Sequence, residues 1–151
     1  MVLLAVLIVF ALDGLTFLWV RRVYQIVYHF AIRTKQHQII MIDIDGFKSI
    51  NDQYGHPVGN KILRKVGLVI LKESRLRGFR YGGEEFAIIL ARGEVKRATI
   101  LANHIRQEIG KIDINGLRVT ASFGIGQYEE EADKALYRAK AKGKDCVEVS
   151  S

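Results

Sequence analysis

The feature that most constrains this chain is the run Gln38-Ile39-Ile40-Met41-Ile42-Asp43-Ile44-Asp45, nearly all apolar until it ends in carboxylates. The run is too short for a helix core and reads as a buried strand. Its backbone groups need ladder partners and its apolar side chains need cover, so the strand belongs inside a sheet packed by other elements.

Elements that can supply that cover lie on both sides of it. From Thr16 to about Gln36, Leu18, Val23, Ile26, Val27 and Phe30 recur at helical spacing, with Asp13 or Thr16 placed to cap the start. Phe47 to Tyr54 reads as a short helix broken by Gly55-His56-Pro57, and Val58 to about Glu73 as a longer one with Ile62, Leu63, Val66, Val69 and Ile70 inward. Glu94 to Ile109 and Glu130 to Lys142 are further helices, the last ended by Gly143. Phe79-Arg80-Tyr81 and Glu85 to Leu90 read as strands joined through Gly82-Gly83. That pair predicts a hairpin turn, because both residues accept positive φ. Leu117 to Gly126 is another strand, and Asp145 to Val149 a last edge strand. Phe47, Phe86, Phe123 and Tyr137 are read as core residues. There is no internal repeat and no linker. The expectation is one domain, residues 13–151, of α/β class with several strands covered by helices.

Charge narrows the partners without choosing one. A formal net charge of +7 suits nucleotide phosphates, nucleic acid or an acidic membrane surface. No run of Lys and Arg is interleaved with aromatics, so nucleic acid gains no support from it. Cys146 is the only cysteine, which excludes an internal disulfide and a His–Cys zinc site and fits a reducing compartment. Residues 1–12 are apolar, shorter than the roughly 20 residues a spanning helix needs. Extending the stretch to Val20 places Asp13 near mid-membrane, at about 2.5–3.5 kcal/mol, with Arg21-Arg22 at the inner face. No basic region precedes the apolar run, so a signal peptide fits poorly. A packing helix, the remnant of a longer membrane anchor, and a weak anchor all stay open.

The carboxylates carry the chemistry. Asp43 at one strand end and Glu84 in a neighbouring hairpin can converge on one sheet edge. Hard divalent cations take oxygen ligands, and Mg²⁺ commonly takes one or two carboxylates plus substrate phosphates. Glycines in the hairpin let backbone approach a bulky anion. Together these describe metal-assisted phosphoryl transfer. On these residues alone, Glu84 and Glu85 as solvated turn residues stays open.

Five segments in order resemble the GGDEF family. Asp13-Gly14-Leu15-Thr16-Phe17-Leu18 with Arg21-Arg22 is similar to D-x-L-T-x-L-x-N-R-R, Val20 standing for its Asn. Asp43-Ile44-Asp45-Gly46-Phe47-Lys48-Ser49-Ile50-Asn51-Asp52 and Tyr54-Gly55-His56 resemble D-x-D-x-F-K-x-x-N-D-x-x-G-H. Gly82-Gly83-Glu84-Glu85-Phe86 is the signature in its GGEEF form. Val119-Thr120-Ala121-Ser122-Phe123-Gly124-Ile125-Gly126 resembles V-T-x-S-x-G-I-G. Ala132-Asp133-Lys134-Ala135-Leu136-Tyr137-Arg138-Ala139-Lys140 resembles A-D-x-A-L-Y-x-A-K, and Gly143-Lys144 follows it.

The resemblance implies a central, mostly antiparallel sheet flanked by helices, related to the palm of nucleotide cyclases and polymerases. It implies condensation of two GTP into cyclic di-GMP at a homodimer interface. Asp43, the Ile44 carbonyl and Glu84 would hold Mg²⁺ or Mn²⁺, and Glu84 would act as general base. Lys48 would offset developing phosphate charge, Lys140 and Lys144 would grip terminal phosphates, Asn51 would meet the guanine edge, and Gly82 and Gly83 would shape the phosphate-facing turn. Each has a duller alternative, such as a strand end at Asp43 or dipole-favoured lysines at a helix C-terminus.

Two departures bear on substrate and control. Asn60 stands where the family usually has Asp, and an amide meets guanine's two donors with one acceptor and one donor. That mismatch opens relaxed purine choice, with cyclic GMP-AMP as a product, or weaker GTP binding. The family's inhibitory R-x-x-D positions are Glu73 and Leu76 here, so no product site is expected. The rival reading is a catalytically silent domain that binds GTP or a partner protein; a polymerase palm is a distant third.

Overall fold

The structure is a computed structural model that describes residues 11–34, 36–91 and 94–150. Residues 1–10, which make up most of the apolar opening, lie outside the described residues. In chain order the elements are β1 (Trp19–Val20), α1 (Arg21–Ala31), β2 (His37–Ile44), α2 (Phe47–Tyr54), α3 (His56–Glu73), β3 (Gly78–Arg80) and β4 (Glu85–Ala91). Then come α4 (Val95–Gly110), β5 (Asp113–Ile114), β6 (Leu117–Arg118), β7 (Ala121–Gly126), α5 (Glu129–Ala141) and β8 (Val147–Val149).

Among the described residues the central sheet has six strands in the order β1-β3-β4-β2-β7-β8. The inner pairings are antiparallel, with Ile40 opposite Ile88 of β4 and Ile125 of β7. The two outer pairings, β1 with β3 and β7 with β8, are parallel. This is the mixed, mostly antiparallel sheet flanked by helices that the resemblance implies.

Strand period explains why β2 is apolar almost throughout. Ile40, Ile42 and Ile44 enter a core with Ile62, Val66 and Ile70 of α3 and Ala102 and Ile105 of α4. Ile39 and Met41 point the other way, into a core with Tyr24 of α1 and Leu136 of α5. A strand covered on both faces has no polar side to show.

Several boundaries differ from the sequence expectations. The helix expected from Thr16 starts only at Arg21, because Trp19 and Val20 pair with Phe79 and Arg80. Asp13 caps no helix. Its Oδ1 accepts from the Thr16 N–H and hydroxyl at 2.9 and 2.7 Å, closing a turn of its own. Pro57 sits inside the first turn of α3, where its missing N–H costs nothing, so the helix begins at His56. The strand expected from Leu117 splits, since β6 pairs with β5 around Asn115-Gly116. Tyr137 is 75% exposed, on the side of α5 opposite Ala132, Ala135, Leu136 and Ala139.

The signature hairpin is also wider than a two-residue turn. Neither Gly82 nor Gly83 has positive φ. Instead the N–H groups of Tyr81 and Gly82 both donate to the Glu85 carbonyl, at 2.8 and 3.0 Å. A Cβ on Gly82 would collide with Glu85 Oε2, so glycine here makes room for a carboxylate rather than for a reversed backbone. No described helix is long and apolar enough to cross a membrane.

Candidate active site

Antiparallel register places two acidic strand ends together. Asp43, the penultimate residue of β2, lies opposite Glu85 of β4 and Ser122 of β7. Glu84 immediately precedes β4, and its carbonyl accepts the Ile44 N–H at 3.3 Å. Helix α5 runs back across the sheet and delivers a cation to the same place: Lys140 Nζ is 2.8 Å from Asp43 Oδ2. Asp43, Ile44, Lys48, Glu84, Lys140 and Lys144 line one cleft of about 260 Å³.

The electrostatics of the cleft are those of crowded carboxylates. Burial pushes the Glu85 carboxyl above its ordinary value, and Asp43, Glu84 and Asp133 add to the effect while Lys140 opposes it. Crowded carboxylate oxygens are hard donors of the kind a divalent cation takes, and the lysines beside them suit phosphate. Among the described residues no group of three or more His, Cys, Asp or Glu side chains gathers as a metal centre. The oxygen groups the cleft brings together, the Asp43 and Glu84 carboxylates beside the Ile44 backbone, form a sparse set of the kind Mg²⁺ takes when substrate and water complete its shell.

Asn51 and Asn60 do not line this cleft; they lie on the α2–α3 hairpin. Asn51 Oδ1 is buried with no hydrogen-bond partner among the described residues. A Cβ on Gly59 would collide with that oxygen, so the glycine makes the seat in which Asn51 rests. Asn60, one residue further, is exposed. Gly82 and Gly83 lie in the loop beside the cleft and do not line it.

Sequence reasoning missed the ties that hold the site. Arg80 Nη1 donates to both oxygens of Asp13 at 2.9 and 3.0 Å, while its Nη2 donates to the Gly83 carbonyl at 2.9 Å. One guanidinium therefore joins the opening turn to the signature loop. Glu129, at the start of α5, accepts from the Tyr24 and Tyr81 hydroxyls at 3.0 and 2.5 Å. Burial, reinforced by that carboxylate, pushes Tyr24 far above the usual phenol range and Tyr81 up to about 12. The pairing anchors the first turn of the helix whose last turn carries Lys140. Asp45 accepts from Thr120, Ser122 and the Asp145 backbone. At the positions corresponding to R-x-x-D, Glu73 pairs with His104 at 3.0 Å and Leu76 is 64% exposed.

Comparison with known proteins agrees with this geometry. The family described as "Diguanylate cyclase, GGDEF domain" matches residues 10–146. The diguanylate cyclase DgcM of Escherichia coli is 37% identical over 131 residues, covering 79% of this chain, which spans about a third (32%) of that protein's length. The fold is similar to the GGDEF domain of DgcB from Caulobacter crescentus, solved in complex with c-di-GMP. That likeness has a TM-score of 0.85 at 29% identity and covers 93% of this chain and 95% of that one. The active GGEEF domain of a diguanylate cyclase from Vibrio cholerae is 30% identical, with a TM-score of 0.71 over 83% of this chain and 90% of its own. A match running through every motif-bearing segment leaves one assignment: the chain belongs to the GGDEF family of diguanylate cyclase domains.

Proposed function

We propose that this chain condenses two GTP molecules into cyclic di-GMP, releasing pyrophosphate from each. The observation that carries the reading is the cleft itself, where acidic ends of two paired strands meet lysines from α2, α5 and the turn after α5. The similar Vibrio cholerae domain carries the same GGEEF form and is described as active, which supports turnover with Glu at this position.

Each step assigns a task to a side chain. Asp43, the Ile44 carbonyl and Glu84 would hold Mg²⁺, or Mn²⁺. That ion supplies Lewis-acid polarisation of phosphoryl oxygens and neutralises their charge. Glu84 takes the proton of the ribose 3′-hydroxyl as its oxygen bonds to the α-phosphorus of the other GTP; the bond to the β-phosphate oxygen breaks and pyrophosphate leaves. Lys48, exposed at the cleft rim, stabilises the charge that develops. Lys140 and Lys144 grip the terminal phosphates, and Lys140 balances Asp43 as well. Asn51 offers its unpartnered oxygen to the base edge. The product needs both 3′-hydroxyls, so two loaded copies face each other and a monomer is inactive alone.

Asn60 favours a second product alongside the first. Its amide is mismatched with guanine's two donors but can pair with adenine's acceptor and donor, so mixed GTP and ATP give some cyclic GMP-AMP. Feedback through the Glu73 and Leu76 positions is absent. Membrane association, where it occurs, runs through the apolar segment 1–12.

The test is the product formed by purified protein from GTP, ATP and their mixture with Mg²⁺, at several protein concentrations. Cyclic di-GMP formation that steepens with protein concentration and vanishes in Glu84→Gln supports the reading. Nucleotide binding without turnover by the wild type assigns the chain to the silent class instead.

A further inference from the structure

Asp45 stands two residues past Asp43 and lines the same cleft. Its side chain is already committed. Oδ2 accepts from the Thr120 hydroxyl at 2.7 Å and from the Asp145 backbone N–H at 3.1 Å, and Oδ1 accepts from the Ser122 hydroxyl at 2.7 Å. Its own N–H donates to the Thr120 carbonyl at 2.9 Å. Three donors on one carboxylate make a well-satisfied anchor.

What the anchor holds is a strained turn. Gly143, Lys144 and Asp145 follow one another with φ of 113°, 68° and 45°. Glycine tolerates that region, but two successive side-chain-bearing residues there persist only where surrounding contacts over-determine them. The contacts are specific: Lys144 N–H reaches back to the Ala139 carbonyl at 3.1 Å, and Arg106 Nη1 donates to Asp145 Oδ1 at 2.8 Å. The bond from Asp145 N–H to Asp45 joins this turn to the strand end where Asp43 sits. Lys144, bracketed between those contacts, lines the cleft.

We infer that Asp45 is a positioning residue whose carboxylate, backed by Thr120 and Ser122, holds the Gly143-Lys144-Asp145 turn so that Lys144 meets the terminal phosphates of the nucleotide. The inference rests on the phosphate-gripping role proposed above for Lys144. It also gives the Val119-Thr120-Ala121-Ser122 motif a task. The two hydroxyls aim a carboxylate, and the carboxylate aims a lysine.

Calorimetric binding of inorganic triphosphate with Mg²⁺ tests this without needing turnover. Asp45→Ala and Lys144→Ala are each expected to weaken triphosphate affinity about tenfold, and the double variant no more than either alone, because one contact is lost in all three. Guanosine monophosphate, which lacks the terminal phosphates, is expected to bind all variants within about twofold of wild type. Asp45→Asn keeps an acceptor for the Asp145 N–H, and its hydroxyl partners can rotate, so it recovers most of the affinity. An Asp45→Asn variant as impaired as Asp45→Ala would make the charge itself the active feature and overturn the inference. So would additive losses in the double variant, or an Asp45→Ala protein that binds triphosphate normally. Should Asp45→Ala fail to fold, Thr120→Val with Ser122→Ala removes the backing hydroxyls and must give the same selective loss of triphosphate. Wild-type protein that binds triphosphate in this pattern but makes no cyclic dinucleotide refutes the cyclase reading alone; wild-type protein that binds none refutes both.

Discussion

At the strand end, Asp43 is paired with Lys140 at 2.8 Å and Asp45 carries three donors, whereas on the α2–α3 hairpin Asn51 keeps a buried, unpartnered oxygen and Asn60 stands exposed. The end proposed to face the phosphates is held by an ion pair and by hydrogen bonds within the protein. The end proposed to face the base leaves its polar groups for a ligand to satisfy. Preorganised charge is worth most where charge develops during reaction, and open hydrogen-bonding capacity is worth most where bases must be told apart. Chemistry and substrate choice can therefore vary separately in this domain.

The largest expected effect lies at the acidic end. Glu84→Gln removes a proton acceptor and a cation ligand together, and lowers kcat by about 10³-fold or more. Calorimetry with GTP should still show binding through the lysines and Asn51; loss of binding in parallel with turnover would break the separation of the two ends. Next in size is Lys140→Ala, which leaves Asp43 without its counter-charge and lowers kcat/KM for GTP by about 10- to 100-fold. Steady-state rates over a range of Mg²⁺ concentrations measure it.

Asn60→Asp sharpens the comparison from the other end. Restoring a two-acceptor group should raise the preference for GTP over ATP about tenfold while kcat with GTP stays within about twofold. Competition between the two nucleotides, resolved by product mass, reads this directly. An unchanged ratio would mean that Asn60 does not face the base.

The smallest effect concerns the tie between the opening turn and the signature loop. Burial would raise the Asp13 carboxyl, but hydrogen bonds from Thr16 and Arg80 outweigh it and hold the group below its ordinary 3.8. A depressed folded-state value stabilises fully above the ordinary one, and that stabilisation is lost as pH falls through the folded value. Asp13→Asn should thus cost about 1 kcal/mol near neutral pH, moderated by solvent around a part-exposed pair, and nearly nothing well below pH 3.8. Urea unfolding at several pH values checks it; a difference that persists in strong acid would assign the effect to shape rather than charge.

Local periodicity made most elements legible. The strand at 38–45, both helices after it and the last helix appear within a residue or two of their expected bounds. Misreadings came where tertiary pairing overrode local pattern. Trp19 and Val20 fall within the helix expected from Thr16 but are drawn into the sheet by β3. Gly82-Gly83 looks like a positive-φ turn, yet the Glu85 side chain and carbonyl shape that loop instead.

By itself, the sequence determined the kind of chemistry available: carboxylates at a buried strand's end, a glycine-bearing acidic loop, and lysines closing the last helix. Periodicity and residue type are local properties, and one strand's length suffices to express them. Only the tertiary structure decided which groups touch. Asp45 meets Thr120, Ser122 and Asp145 across 75, 77 and 100 residues, and Tyr24 meets Glu129 across 105. Such contacts depend on strand register and on the path of α5 over the sheet, so no local pattern encodes them. The same holds for Lys140, which folding sets against Asp43.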